Sequence, residues 1–189
     1  MSRSPLLAFA LTIALAACAS SQPLAGTELD GRTAPDLTLQ DGLSGQSLTL
    51  SSLRGKVVVL SFLYTQCPDT CPLTAELLSA AQRALGTDAG RVELVAISVD
   101  PARDTPQAIR AFSDAHRLTR SWHYLIGRRE QLEPIWSAYG VRAEGDQSRP
   151  TVTHTDALFV IDATGRERRL LRTDVGPDAV AAAIRAILK

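Results

Sequence analysis

The chain has 189 residues, and its 20 basic side chains are balanced by 20 acidic ones. That balance argues against nucleic-acid binding and against a polybasic membrane patch, since both need an excess of Lys and Arg. A chain of this length is long enough to bury a substantial core as one domain.

The N-terminal segment has the features of an export signal. Arg3 is followed by an apolar stretch from Pro5 to Ala17, and small residues lead to Cys18. A basic start, about a dozen apolar residues and a small-residue cleavage point are typical of a signal peptide, and the run is shorter than a membrane-spanning helix. Because its end resembles a bacterial lipobox, we predict a lipoprotein signal peptide over residues 1–17, with Cys18 lipidated. An ordinary signal peptide with a chance cysteine is the alternative.

This interpretation divides the chain into three parts. Residues 18–34 are polar, without sustained periodicity, and are predicted to be a flexible tether. Residues 35–189 form the folded domain. The protein is expected to be exported and membrane-anchored on the periplasmic (outer) face, where the compartment is oxidising.

The first half of the domain predicts strands and one helix. Residues 36–40 and 47–50 alternate apolar and polar side chains, as hairpin strands do. Residues 56–64 and 92–99 are nearly all apolar, which is typical of central strands covered on both faces. Between them, five apolar residues recur at helical spacing and predict a buried helical stripe that stops near Gly86. They are Leu73, Leu77, Leu78, Ala81 and Leu85.

The second half alternates strands with helices. Residues 100–106 predict a turn, with Thr105 as the N-cap of a helix that runs toward His116. A strand at 122–126, a helix at 129–139, a polar loop at 141–153, a hairpin of 156–162 with 168–172 and a closing helix at 177–188 follow. This order predicts an α/β, thioredoxin-like three-layer sandwich: a central mixed sheet flanked by helices, with an N-terminal β-hairpin extension.

Cys67 and Cys71 lie where the first central strand passes into its helix. Backbone N–H groups and the helix dipole stabilise a thiolate there. A spacing of four residues suits a disulfide between Cys67 and Cys71 and suits two thiolates on one metal ion equally well. Thioredoxin-like redox enzymes usually have two intervening residues, so the third argues mildly for a metal. Pro68 and Pro72 stiffen the junction.

The chain has three histidines that could add a ligand. His116 is interpreted as a helix-end residue and His123 as a structural strand residue. His154 ends the polar loop, and in a thioredoxin fold that loop lies at the same end of the sheet as the cysteines. Two thiolates suit Cu(I), and an added imidazole extends the site to Cu(II). A structural zinc site would need four protein ligands.

Three blocks of sequence carry a family resemblance. Tyr64-Thr-Gln-Cys-Pro-Asp-Thr-Cys-Pro72, Ser98-Val-Asp-Pro-Ala-Arg-Asp-Thr-Pro106 and His154-Thr, followed by Leu158-Phe-Val-Ile-Asp162, resemble the Sco/SenC family of copper-site assembly proteins. The resemblance implies a membrane-anchored, thioredoxin-like protein that binds one copper ion per chain through Cys67, Cys71 and His154. It also implies a role in building the dinuclear copper centre of cytochrome c oxidase, with the copper-accepting subunit as partner. Other copper chaperones and thiol reductants are further candidate partners.

Three acidic residues match the family pattern. We predict that Asp69 is a cap or a group behind the ligands, and that Asp100 and Asp104 orient the loop near the site, simple turn and capping chemistry being the alternative. Thr153 departs from the family, in which an aspartate commonly precedes the histidine.

A copper-binding protein of this kind is expected not to be an enzyme in the turnover sense, although its thiols have the chemistry of an auxiliary thiol–disulfide reductase. Two other functions would use the same sulfurs. The alternative is a periplasmic thiol–disulfide oxidoreductase, with Cys67 attacking and Cys71 resolving. A peroxide reductase would need an arginine near its cysteine, for which Arg103 is the candidate.

Overall fold

The computed structural model describes residues 24–118, 120–143 and 156–189. Within these residues the strands are β1 (Thr27–Glu28), β2 (Thr38–Asp41), β3 (Ser47–Thr49), β4 (Val57–Leu63), β5 (Val92–Ser98), β6 (Trp122–Ile126), β7 (Leu158–Ile161) and β8 (Glu167–Leu171). The helices are α1 (Thr70–Leu85), α2 (Pro106–Ala115), α3 (Arg129–Ala138) and α4 (Pro177–Ile187). Short 3-10 turns span Leu50–Leu53 and Gly86–Arg91.

All of these strands join one mixed sheet in the order β1-β8-β7-β4-β5-β6-β2-β3. The central strands β4, β5 and β6 are parallel, and the remaining neighbours are antiparallel. Every residue of β4 and β5 is buried, which explains why both are almost continuously apolar. The predicted α/β architecture with a central mixed sheet is confirmed.

The helices cover both faces of the sheet. The Phe112 ring of α2 lies 6.3 Å from Tyr124, which shares a sheet face with Ser61 through the strand register. The next residue, Phe62, points to the opposite face, where its ring lies 5.6 Å from that of Tyr139 at the end of α3. Helix α1 packs against α4 and contacts α2 on the first face. These contacts give the predicted three layers.

The predicted N-terminal hairpin is also confirmed. Strands β2 and β3 pair through Leu39 and Leu48, and Gln40 of β2 pairs with Ile126 of β6. The hairpin therefore extends the sheet beyond its last parallel strand. The predicted cap of α2 is present as well, since the Ala108 N–H donates to the Thr105 hydroxyl at 3.2 Å.

The flexible tether predicted over residues 18–34 is too long at its C-terminal end. Thr27 of β1 pairs with Leu170 of β8, and Ala34 is buried. The Arg32 guanidinium binds the buried Glu167 carboxylate at 2.7 Å. An edge strand needs only backbone hydrogen bonds to its neighbour, so a polar segment without periodicity can dock in this way.

The signal peptide and Cys18 lie outside the described residues, and both remain predictions. In the part of the chain that the structure describes, no helix is long and apolar enough to cross a membrane.

Candidate metal centre

The two cysteines lie at the junction of β4 and α1, at the carboxyl end of the central parallel strand. Cys67 belongs to the connecting loop, and Cys71 is the second residue of the helix. The Cys71 N–H donates to the Cys67 sulfur at 3.3 Å. The Cys67 sulfur therefore accepts a hydrogen bond from one of the N-terminal N–H groups of α1, the role that a capping side chain usually has. This bond holds the sulfur against the first turn of the helix.

The surroundings of Cys67 favour its thiolate. Burial of the side chain disfavours the charged form, but hydrogen bonds from the backbone N–H groups of Asp69 and Cys71 outweigh it and lower the pKa of Cys67. The Cys71 thiol and the Tyr64 hydroxyl contribute in the same direction. The location at a helix N-terminus, predicted from the sequence to stabilise a thiolate, has this effect on Cys67.

Cys71 is in the opposite situation. It has no exposed surface, and burial raises its pKa far above the ordinary value for a thiol. A backbone hydrogen bond from Tyr64 acts against burial, whereas the neighbouring Cys67 and Asp104 charges add to it. The pair therefore consists of one sulfur poised to be a thiolate and one held as a thiol. Both are thiols in this structure, and their disulfide remains a prediction.

The Asp104 carboxylate binds the start of the cysteine loop through hydrogen bonds. The N–H and hydroxyl of Thr65 both donate to one oxygen of its buried carboxylate at 2.8 Å. The Ser98 hydroxyl donates to the other oxygen at 2.6 Å, and the Tyr124 hydroxyl at 3.1 Å. Burial raises the pKa of Asp104, although these hydrogen bonds oppose the shift. The structure thus links the loop before Cys67 to β5 and β6 through one carboxyl group.

The other two acidic residues have different surroundings. Asp100 is buried and forms an ion pair with Arg103 in its own turn, and its N–H bonds the Ser98 hydroxyl. Arg103, the candidate for a peroxide site, thus faces a carboxylate. Asp69 occupies the N-cap position of α1, but its exposed side chain makes no capping hydrogen bond. The cap predicted as one role for Asp69 is therefore absent.

Two histidines lie near carboxylates away from the cysteine loop. His123 lies between Asp41, at 3.1 Å from its Nδ1, and Glu93, at 3.4 Å from its Nε2. His116 lies at the C-terminus of α2, with Nδ1 3.8 Å from the Glu76 carboxylate. These positions agree with the structural and helix-end interpretations.

His154 lies outside the described residues. The strand that follows it runs antiparallel to β4, with Phe159 opposite Leu60. Because Leu158 begins β7 at the end of the sheet where β4 finishes, the chain enters β7 from the cysteine end. Over residues 24–118, 120–143 and 156–189, no three His, Cys, Asp or Glu side chains converge as a metal site. Among the described residues, the candidate metal ligands at this site are thus the two cysteine sulfurs.

The network around Asp104 includes residues that the sequence did not identify. Thr65 and Ser98 stand in the family blocks, yet nothing in their local pattern indicates contact with one carboxylate. Tyr124 comes from a third strand, and no pattern within β6 predicts where its hydroxyl points. The only available signal was the position of Thr65 and Ser98 at the carboxyl ends of two neighbouring parallel strands.

Comparisons with known proteins identify the family of this chain. Residues 30–189 match the sequence profile of the SCO1/SenC family. A Stutzerimonas stutzeri relative, whose name includes the words "copper-binding protein", is 32% identical over 167 residues, covering 83% of this chain and 78% of that protein.

Solved structures show the same fold. Bradyrhizobium japonicum ScoI with copper bound is 29% identical, with a TM-score of 0.73 over 82% of this chain and 99% of that one. The apo Sco1 protein of Thermus thermophilus is 30% identical, with a TM-score of 0.76 over 88% of this chain and 98% of that one. The profile match spans nearly the whole folded domain, and the chain therefore belongs to the SCO1/SenC family.

Proposed function

We propose that this protein is a copper-binding assembly factor that holds one copper ion, as Cu(I) or Cu(II), on Cys67, Cys71 and His154. The observation that carries the proposal is the pair of adjacent, unequal sulfurs at the start of α1. Its family membership supports the choice of metal, because a family member 29% identical to it was solved with copper bound.

The two sulfurs have complementary roles in binding. Cys67, whose pKa is lowered, gives up its proton to become a soft thiolate ligand more readily than the buried Cys71, which must also be deprotonated when copper binds. Copper binding therefore releases protons, so the affinity for copper rises with pH. His154 supplies the imidazole that suits Cu(II), from a segment leading into β7 at the cysteine end of the sheet.

Delivery proceeds by ligand exchange. Thiolates of a copper-accepting subunit of a respiratory cytochrome c oxidase replace Cys67, Cys71 and His154 in turn, and the ion enters the dinuclear centre of that subunit. The protein works as a carrier and not by catalytic turnover. Other copper chaperones would load it, and thiol reductants would keep its sulfurs reduced.

A spectroscopic experiment tests the copper site. Protein carrying Cys18→Ser, which has no other sulfhydryl than the pair, is loaded with Cu(II), and its visible spectrum is recorded. We expect one copper per chain and a thiolate-to-copper charge-transfer band that is lost with His154→Ala. His116→Ala is the matched control and should keep the band. A band that is unchanged by His154→Ala would remove that residue from the ligand set.

The second candidate function, thiol–disulfide exchange, is favoured by the lowered pKa of Cys67. The Cys67 thiolate attacks one sulfur of a partner disulfide and expels the other sulfur as a thiolate. Cys71 then loses its proton and attacks Cys67, which releases the partner as a dithiol and leaves a Cys67–Cys71 disulfide. Catalytic reduction of insulin, without stoichiometric copper binding, would rank this function first.

For its location, we propose export and anchoring on the periplasmic face of the membrane through lipidated Cys18. The support is the basic, apolar and small-residue order of residues 1–17 and the cysteine at its end. This anchor would place the copper site on the same side of the membrane as the proposed acceptor.

A further inference from the structure

Leu73 is exposed although the helical pattern predicts it to be buried. Its apolar spacing with Leu77 and Leu78 predicts one buried stripe, and those two side chains are buried. Leu73 is 61% exposed. Natural sequences break a local pattern chiefly where function requires it. The only other large apolar side chain exposed among the described residues is Leu24, at 37%.

Leu73 differs from an ordinary surface leucine because it lies next to the cysteine pair in the chain. It lies in the first turn of α1, two residues after Cys71, beside the half-buried Pro72. Pro68, in the loop after Cys67, is exposed as well. Asp69 is the only charged residue between positions 64 and 75. We call Pro68, Pro72 and Leu73 the apolar rim of the site.

The burial of the two sulfurs requires close contact with any acceptor. Cys67 is 9% exposed and Cys71 has no exposed surface. Thiolates of an acceptor can reach these sulfurs, or a metal held by them, only if the acceptor surface lies against the residues around Cys67. The apolar rim is part of that surrounding surface, so contact with the acceptor would bury Leu73.

From this geometry we propose that Leu73 is the docking residue for the acceptor protein, a partner that presents paired thiolates next to an apolar patch. The proposal rests on the proposed function, because the acceptor is the copper-accepting domain of the oxidase. Interfaces concentrate their binding free energy in a few buried apolar side chains ringed by weaker contacts. Leu73, the most exposed large apolar side chain among the described residues, has the chemistry for that role.

The test compares transfer to the protein acceptor with transfer to a small chelator that needs no docking surface. Full chain loaded with Cu(I) is mixed with the purified copper-accepting domain or with bathocuproine disulfonate, a chelator of Cu(I), and the transfer rate is measured. We expect Leu73→Ser to slow transfer to the domain about tenfold, which corresponds to the loss of one apolar anchor, and to leave transfer to the chelator unchanged. Leu73→Met keeps an apolar side chain and should restore transfer.

Leu24→Ser is the matched control, since it removes the other exposed leucine at a distance from the cysteine loop, on the N-terminal segment before β1. It should transfer copper to the domain at the wild-type rate. Equal rates for wild type and Leu73→Ser with the domain would overturn the docking proposal. Slower transfer to the chelator as well would also overturn it, because Leu73 would then act on the metal site.

A binding measurement separates this proposal from the proposed function. The affinity of the copper-free dithiol chain for the same domain is measured by calorimetry, for wild type and Leu73→Ser. If wild type fails to hold copper, the proposed function is wrong, yet an approximately tenfold weaker complex with Leu73→Ser still supports docking. Equal affinities contradict docking, whatever the outcome with copper.

Discussion

At the scale of single residues, the two sulfurs differ because Cys67 accepts hydrogen bonds from backbone N–H groups at the start of α1, whereas Cys71, within the first turn of that helix, has no exposed surface. Hydrogen bonds lower the pKa of Cys67 from its ordinary value of 9.0, whereas burial raises that of Cys71. We therefore expect iodoacetamide to modify Cys67 at least about tenfold faster than Cys71 at pH 7 to 8, since one pKa unit changes the thiolate fraction tenfold. Mass spectrometry of the two peptides, in copper-free protein carrying Cys18→Ser, gives both rates.

Single-cysteine variants provide the control for this prediction. With Cys71→Ala, Cys67 keeps the backbone N–H donors and should stay reactive below pH 9. With Cys67→Ser, Cys71 keeps its burial and should react slowly throughout this range. Similar rates for the two cysteines in these variants would contradict the assignment of the attacking thiol.

The residues that the sequence identified are those whose chemistry is local. Cys67 and Cys71 could be assigned because their spacing and the strand–helix boundary fall within one short block. The contacts of Asp104 could not, because Thr65, Ser98 and Tyr124 come from three separate elements. Which hydroxyls converge on one carboxylate depends on strand register and loop shape, and no local pattern encodes either.

At the scale of elements, the β2–β3 hairpin is held to the sheet by a charged contact as well as by backbone pairing. Asp41 of β2 accepts from His123 of β6, and Glu93 of β5 lies on the other side of the ring, paired with Lys56. The hydrogen bond to Asp41, with the nearby Glu93 charge, raises the pKa of His123 although burial opposes it.

A raised pKa means that the folded chain holds this proton more tightly than the unfolded chain. The stabilisation is therefore complete below pH 6.5, the ordinary value for histidine, and is lost as the pH rises through the raised pKa of His123. We expect a coupling free energy of about 1 kcal/mol between Asp41 and His123 at pH 6, a modest value because the ring is partly exposed and solvent screens the charges. At pH 9 the coupling free energy should be smaller. Urea unfolding of a double-mutant cycle, with Asp41→Asn and His123→Gln, measures it.

The cycle is its own control, because Asp41 also accepts from the Leu43 N–H and the Ser44 hydroxyl. Those losses occur in both Asp41→Asn variants and cancel in the coupling term. The same coupling at pH 6 and pH 9 would show that protonation of His123 does not hold the hairpin.

The elements themselves were largely predictable, and the exceptions have physical causes. The buried strands β4 and β5 and the amphipathic helices follow from hydrophobic spacing, which tertiary packing reinforces. Strand β1 was missed because two residues at a sheet edge dock by backbone hydrogen bonds alone. Leu73 follows the helical pattern but is 61% exposed, and periodicity alone does not show which part of a helix face the rest of the fold covers.

At the scale of the whole molecule, the docking of β1 shortens the link between the fold and the proposed anchor. The predicted tether began at Cys18, and the first paired residue is Thr27. The nine residue steps from Cys18 to Thr27 span at most about 32 Å, given ~3.5 Å per extended residue. A lipid on Cys18 would therefore keep Thr27, at the edge of the sheet, within this distance of the membrane surface.

This arrangement predicts that the lipid on the Cys18 sulfur is what keeps the protein in the membrane fraction. The balanced charge of 20 basic and 20 acidic residues provides little electrostatic attraction to anionic lipids, whereas acyl chains contribute about 0.8 kcal/mol for each buried CH₂ group. Cys18→Ser should therefore move the protein from the membrane fraction to the soluble fraction, as measured by fractionation and immunoblotting. Cys67→Ser, which removes a different sulfur, should leave the protein in the membrane fraction. Unchanged partitioning of Cys18→Ser would contradict the lipid anchor, and would indicate that residues 1–17 or a bound partner hold the protein at the membrane.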